Sequence, residues 1–161
     1  VTHASAGVPE ATSVAPAEVP GRAAEGTASE DPAEALAAGD AERAGGLAAE
    51  LLAADPTDEV AHLLAGLAAH ARGDHAAAIV SLRAAACLGD GWLAWFYLGL
   101  ARERLGRWSA AARAFRQVAH ARGPAPPGDG ALWTELRAAR PALIELAHRR
   151  ASALSRDTEK P

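Results

Sequence analysis

The residues of this chain that could do chemistry are few, and their spacing does not gather them. His62, His70 and His75 lie close together, but a metal site needs further Cys, His or carboxylate donors at ligand spacing, and none joins them. Ser, His and Asp side chains are scattered, without a nucleophile motif. Gly128-Asp129-Gly130 is not a phosphate loop, because no strand precedes it and no Lys follows. Cys87 is the one cysteine; it rules out an internal disulfide framework and fits a reducing compartment. It falls in an apolar helical stretch and is expected to be a small core residue. Glu135, Glu145 and His148 near the C-terminus are what a small enzyme would have to use. No catalytic residue, metal or cofactor is assigned, and the chain is expected not to be an enzyme in itself.

The elements that position these residues are helices. Half of the 161 residues are apolar, enough to bury a core, yet 45 are Ala and only seven are aromatic. Ala has the best intrinsic helix propensity, strand-formers are scarce and no alternating Val, Ile or Thr run occurs, so an all-α fold is expected. A net charge of −4 with the 15 Arg spread along the chain argues against a nucleic-acid binder. No window approaches the ~20 apolar residues of a membrane span, and the start lacks the pattern of a signal peptide. A cytoplasmic protein without membrane insertion is expected. The chain begins with Val, contains no Met and has 15 Arg to one Lys; a fragment of a longer polypeptide or a non-standard start codon, from a GC-rich genome, would explain this.

Residues 1–28 are rich in Ala, Pro, Gly and Ser without apolar periodicity, the composition of a disordered linker. From residue 29 the texture turns helical and repeats. Gly39-Asp40, Gly73-Asp74 and Gly106-Arg107 recur at the period of a two-helix unit. Each Gly is expected to end a helix with positive φ, and Asp40 and Asp74 to cap the next one, with Ser109 in that role in the third hairpin. Small residues recur at Gly66 and Gly99 and at Ala44, Ala78 and Ala111, with Ala48, Leu82 and Phe115 following four positions after the Ala series. Residues 29–122 are therefore expected to hold about three hairpins. A Pro/Gly loop follows at 123–130, then capping helices at 131–155 (Ala131 to Arg140, and Pro141 to about Leu154), then a tail at 156–161.

The stretch from Asp31 to Gly123 resembles tetratricopeptide repeats, an α-hairpin solenoid with C-terminal capping helices; a generic Ala-rich bundle is the alternative. The linker Leu88-Gly89-Asp90-Gly91 lacks the usual Pro and is one residue short. The resemblance implies a concave groove lined by the first helix of each hairpin. Carried over by position, its residues are Val60, Leu63, Leu67 and His70, then Leu93, Phe96, Leu100 and Glu103, with Arg104 beside them. An apolar floor with a polar end suits an amphipathic helix or an extended peptide. Two states of the groove are open at this point: free for a partner, or filled by the last helices. In Trp92-Leu93-Ala94-Trp95-Phe96-Tyr97 the helical period sends the aromatics to different faces; Trp95 is expected inside the hairpin and Phe96 towards the groove.

The order of features, a Pro/Ala linker, HLLAGLAAHARGDHAAAIVSLRAAACLGDG, WFYLGLARERLGRWSAAARAFRQVAHARG, then a Pro-rich loop with Asp129-Gly130, resembles the C-terminal repeat region of chemotaxis receptor methyltransferases. The family commonly has Leu-Thr-Ala-Gly after its Asp-Gly; here Ala131-Leu132-Trp133-Thr134 follow. The resemblance implies a bacterial signal-transduction protein whose S-adenosylmethionine-dependent domain lies upstream, with this region a regulatory arm binding a chemoreceptor or another chemosensory protein. The alternative is a free-standing repeat adaptor of another pathway, such as envelope assembly or secretion.

Overall fold

The computed structural model describes residues 30–126 and 128–157. The expected linker at 1–28 and residues 158–161 of the expected tail lie outside them. The described residues form α-helices and no strand: α1 (Pro32–Ala37), α2 (Ala41–Ala54), α3 (Glu59–Ala71), α4 (His75–Gly89), α5 (Trp92–Arg104), α6 (Trp108–His120) and α7 (Ala131–Asp157). The first six pair as hairpins α1–α2, α3–α4 and α5–α6, each stacked on the next. First helices touch one another along the stack, α1 to α3 and α3 to α5, whereas the second helices α2, α4 and α6 do not meet. The stack thus has a continuous row of first helices on one side and separated second helices on the other.

Local chemistry sets where each helix stops and starts. Gly39, Gly73 and Gly106 have φ of 81°, 80° and 68°, a conformation that a Cβ would strain. Around each, the same two hydrogen bonds close the preceding helix. At the second hairpin the Gly73 N–H donates to the His70 carbonyl and the Asp74 N–H to that of Ala69; the Gly39–Asp40 and Gly106–Arg107 turns repeat this pattern. These are Schellman closures, which satisfy carbonyls that a helix end leaves bare. Caps then restart the chain: Asp40 accepts from the Arg43 N–H at 3.0 Å, Asp74 from the Ala77 N–H at 3.0 Å. Asp31 and Asp58 cap α1 and α3 in the same way. Each such cap contributes about 1 kcal/mol. The expectation for Ser109 is corrected: α6 begins at Trp108 behind Arg107, with no side-chain cap, so Ser109 is already inside the helix.

Packing follows the small–large pattern. A Cβ on Gly66 would lie 2.5 Å from Leu82 Cγ, and one on Gly99 2.6 Å from the Phe115 ring, so bare glycine lets the large residue of the second helix seat against the first. Ala44, Ala78 and Ala111 are fully buried at the hairpin crossings. Cys87 departs from expectation. It is exposed, because α4 has neither α2 nor α6 against its outer side.

The C-terminal region also differs from the two helices expected. Ala131–Asp157 is one helix with Pro141 inside it. Proline removes a hydrogen bond to the carbonyl four residues back; Pro141 is exposed, so that cost falls on the solvent side while the other face is held by packing. α7 begins beside α1, where Gly130, Ala131 and Leu132 border Ala33, Glu34 and Ala37. It then packs chiefly along α6 and reaches α5 through two side chains: the Arg140 guanidinium stacks 5.7 Å over the Trp92 ring at the start of α5, and Arg150 pairs with Glu103 near its end. At the far end Arg116 of α6 donates to Ser155 Oγ.

Candidate partner-binding groove

The nine residues expected to line the groove all lie on α3 and α5, and the structure divides them into three groups. Val60, Leu63 and Leu93 border a cavity of about 130 Å³ closed by Pro124, Ala125 and Pro126 of the loop before α7. Leu67 and Phe96 belong to the core; Phe96 is 2% exposed, with its ring edge-on to Tyr97 and Phe115 at 5.5 and 6.1 Å. His70, Leu100, Glu103 and Arg104 come together with Trp108 and Arg150 around an opening of about 460 Å³. The lower part of the groove is thus covered by the loop and α7, and the upper mouth is open.

The lower cavity is apolar with one carboxylate. Glu59 lies across the backbone of Gly89, and burial, then the neighbouring Asp58, pushes its carboxyl above the usual Glu value. Trp92, also lining the cavity, is 1% exposed and its indole N–H has no partner among the described residues. The short linker is fixed nearby. Asp90 adopts φ 51°, accepts the Trp95 indole N–H at 2.8 Å and the Arg122 backbone N–H at 3.1 Å, while its carbonyl accepts from Gly123. Those hydrogen bonds hold its carboxyl below the usual Asp value. They also hold Trp95 half-buried against the core, beside Ala114 and Gln117 of its hairpin partner α6, with one edge open to the outer side.

The upper mouth is amphipathic. Trp108 is 48% exposed and Arg104 is exposed, Leu100 is half-buried, and the Glu103–Arg150 pair ties α5 to α7. His70 stands against His75 at 5.1 Å and edge-on to Tyr97 at 5.4 Å. Burial, followed by repulsion from His75 and Arg104, lowers its pKa below 6.5. Trp108 and Arg150 were not among the expected residues. Trp108 had a local signal, an aromatic at a helix start; Arg150 had none, since its place depends on the return of α7. Among the described residues no group of three or more His, Cys, Asp or Glu gathers to hold a metal, and no helix is long and apolar enough to cross a membrane.

No protein-family model matches the chain, and no curated protein aligns with it significantly. Among solved structures, the TPR domain of Sgt2 from Aspergillus fumigatus superposes with a TM-score of 0.57 at 21% identity, covering 81% of this chain and 80% of that one. The fold is that of a tetratricopeptide domain. The recurrence of one glycine closure, one buried Ala and one small–large crossing per hairpin is what produces this TPR architecture here. The short α1 makes the first repeat the least complete.

Proposed function

We propose that this TPR domain is a protein-interaction module whose partner enters by the upper mouth of the inner groove, at His70, Leu100, Glu103, Arg104 and Trp108. The observation that supports it is the exposed Trp108 ring beside an open, mixed-charge hollow in a region otherwise closed by α7; Trp and Arg are the residue types most often dominant at interfaces. The lower residues, Val60, Leu63, Leu67, Leu93 and Phe96, act as the packed floor that sets the shape of the hollow. The partner is a protein or peptide able to place one apolar and one charged side chain at this mouth.

The test uses peptides selected from a random display library against the whole chain. Binding should weaken by about tenfold or more in Trp108→Ala and in Arg104→Glu, the scale of an interface anchor. Peptides that bind both variants as tightly as the wild type would remove the mouth from consideration. Leu63→Ala and Phe96→Ala are poorer tests, because both side chains are buried and their loss unsettles the fold.

Two settings accommodate this role. Resemblance of the repeat and loop sequences supports the regulatory arm of a chemosensory receptor methyltransferase, with a chemoreceptor as partner; the structural neighbour lends that setting no weight. The helical repeat alone supports a free-standing adaptor equally well. The complete reading frame separates them, since an S-adenosylmethionine-dependent methyltransferase domain encoded in frame before Val1 belongs to the first and a translation start at Val1 to the second.

A further inference from the structure

Because α4 and α6 do not meet, the outer side of the molecule has a trough between them with α5 as its floor. Trp95 and Arg102 of α5 and Arg113, Ala114, Arg116 and Gln117 of α6 border an opening there of about 480 Å³. Arg83 of α4 and Arg107 of the α5–α6 turn are close enough to act on Arg102. Burial, then repulsion from Arg113, Arg83 and Arg107, lowers the pKa of the Arg102 guanidinium below its ordinary value. Five arginines thus converge in a chain of net charge −4.

Their existing partners are neutral. Arg102 donates to the Ala110 carbonyl at 3.1 Å and Arg116 to Ser155 Oγ at 3.1 Å. Among the described residues none of the five forms an ion pair. The carboxylate of Asp90, at the Trp95 end of the trough, is already engaged by Trp95 and Arg122. Like charges held together without a counter-charge raise the energy of the free protein, and an anion that enters relieves it. Positions 33 residues earlier than Arg102, Arg107 and Arg113 are Ala69, Asp74 and Val80, while Arg116 answers to Arg83, so the equivalent positions of the second hairpin hold one arginine and one aspartate in place of the cluster.

We propose that the α4–α6 trough is a second docking site, which takes an acidic peptide segment with interspersed apolar side chains. Guanidinium groups form two-pronged hydrogen bonds with carboxylates. The apolar component is matched by the Trp95 ring on the floor. Neighbouring helices lie 8–10 Å apart, so a trough spanning three of them is about 20 Å wide. The mixture of arginines with an aromatic ring, in a chain of net charge −4, fits a short acidic peptide better than the long, evenly charged track of a nucleic acid. The site stands on the opposite side of α5 from the inner mouth and does not depend on it.

The experiment titrates the full chain into a fluorescein-labelled Glu/Leu peptide of roughly eight residues, long enough to cross the trough when extended. Anisotropy is read at low and high salt. Binding is expected at low salt, weaker as salt screens it, and reduced by about tenfold or more in the Arg83→Glu, Arg113→Glu double variant. Trp108→Ala should leave it unchanged. Both charge-reversed positions are exposed, and circular dichroism confirms that the variants are folded; the milder Arg83→Ala, Arg113→Ala pair should give an intermediate loss. Absence of binding at low salt, equal binding by the double variant, or tighter binding of a single-stranded oligonucleotide of similar length would each overturn the proposal.

Discussion

Hairpins α3–α4 and α5–α6 are two versions of one unit, with equivalent positions 33 residues apart: Gly66 and Gly99, Gly73 and Gly106, Ala78 and Ala111. Every one of these pairs is a turn or a close crossing, where backbone conformation or bare space dictates the residue. The outer and terminal positions diverge. His62 corresponds to Trp95, His70 to Glu103, Asp74 to Arg107 and Val80 to Arg113. The interior fixes the architecture, and the third hairpin carries most of the residues of the two docking sites proposed above. Its crossing is also larger, Phe115 against Gly99 where the second hairpin has Leu82 against Gly66.

Truncating the large partner should give the largest effect and show whether the two crossings are equivalent. Leu82 is fully buried and Phe115 is 1% exposed. Leu82→Ala should cost about 2–5 kcal/mol and Phe115→Ala about 3–5 kcal/mol, read from urea unfolding. The Phe115 variant should be the worse, because its ring also meets Phe96; a smaller loss at Phe115 than at Leu82 would break the equivalence. Adding a methyl group to the small partner comes next. Gly66→Ala and Gly99→Ala should each cost about 1–3 kcal/mol by overpacking. A neutral Gly99→Ala would mean that the Phe115 ring can slide aside while Leu82 cannot.

These same crossings explain what could be read from the sequence. Gly39, Gly73 and Gly106 announce their turns because few other residues tolerate their φ, and Gly66 and Gly99 mark crossings because only bare backbone fits. Asp40 and Asp74 announce caps through short local hydrogen bonds. What stayed hidden was long-range. Cys87 sits in an apolar run, but its exposure follows from second helices that stand apart. Pro141 reads as a break, yet α7 continues through it because contacts to α1, α5 and α6 hold its other face. The inner mouth was half legible: His70, Leu100, Glu103 and Arg104 follow from their register on α3 and α5, whereas Arg150 joins them only through the return path of α7.

A gentler comparison exchanges the helix starts. Asp74 caps α4, and Arg107 stands at the equivalent place without capping α6. Asp74→Ala should lose about 1 kcal/mol, and Arg107→Asp should gain stability of similar size by supplying a cap. The gain should be accompanied by weaker acidic-peptide binding, because one of the five clustered arginines is lost. A destabilised Arg107→Asp chain would mean that the two helix starts are not built alike.

The smallest expected effect concerns the other ends of the first helices, where His70 in α3 answers to Glu103 in α5. Glu103 is paired with Arg150, whereas the buried His70 Nδ1 has no partner among the described residues. The folded chain holds the His70 proton less tightly than the unfolded chain, whose ordinary value is 6.5. Below 6.5 the unfolded state therefore binds more protons, so the contribution of neutral His70 is present above 6.5 and is lost as pH falls through the lower folded value. Glu59 gives a slope of the opposite sign. Its raised carboxyl contributes below the ordinary 4.5 and that contribution is lost as pH rises through the folded value, so the His70 effect is cleanest just below pH 6.5. In a series of urea midpoints stepped down from pH 7, His70→Gln should flatten the decline there and leave the remainder of the profile in place. Identical slopes for variant and wild type would assign the decline to another group and leave the two helix ends alike in their response to acid.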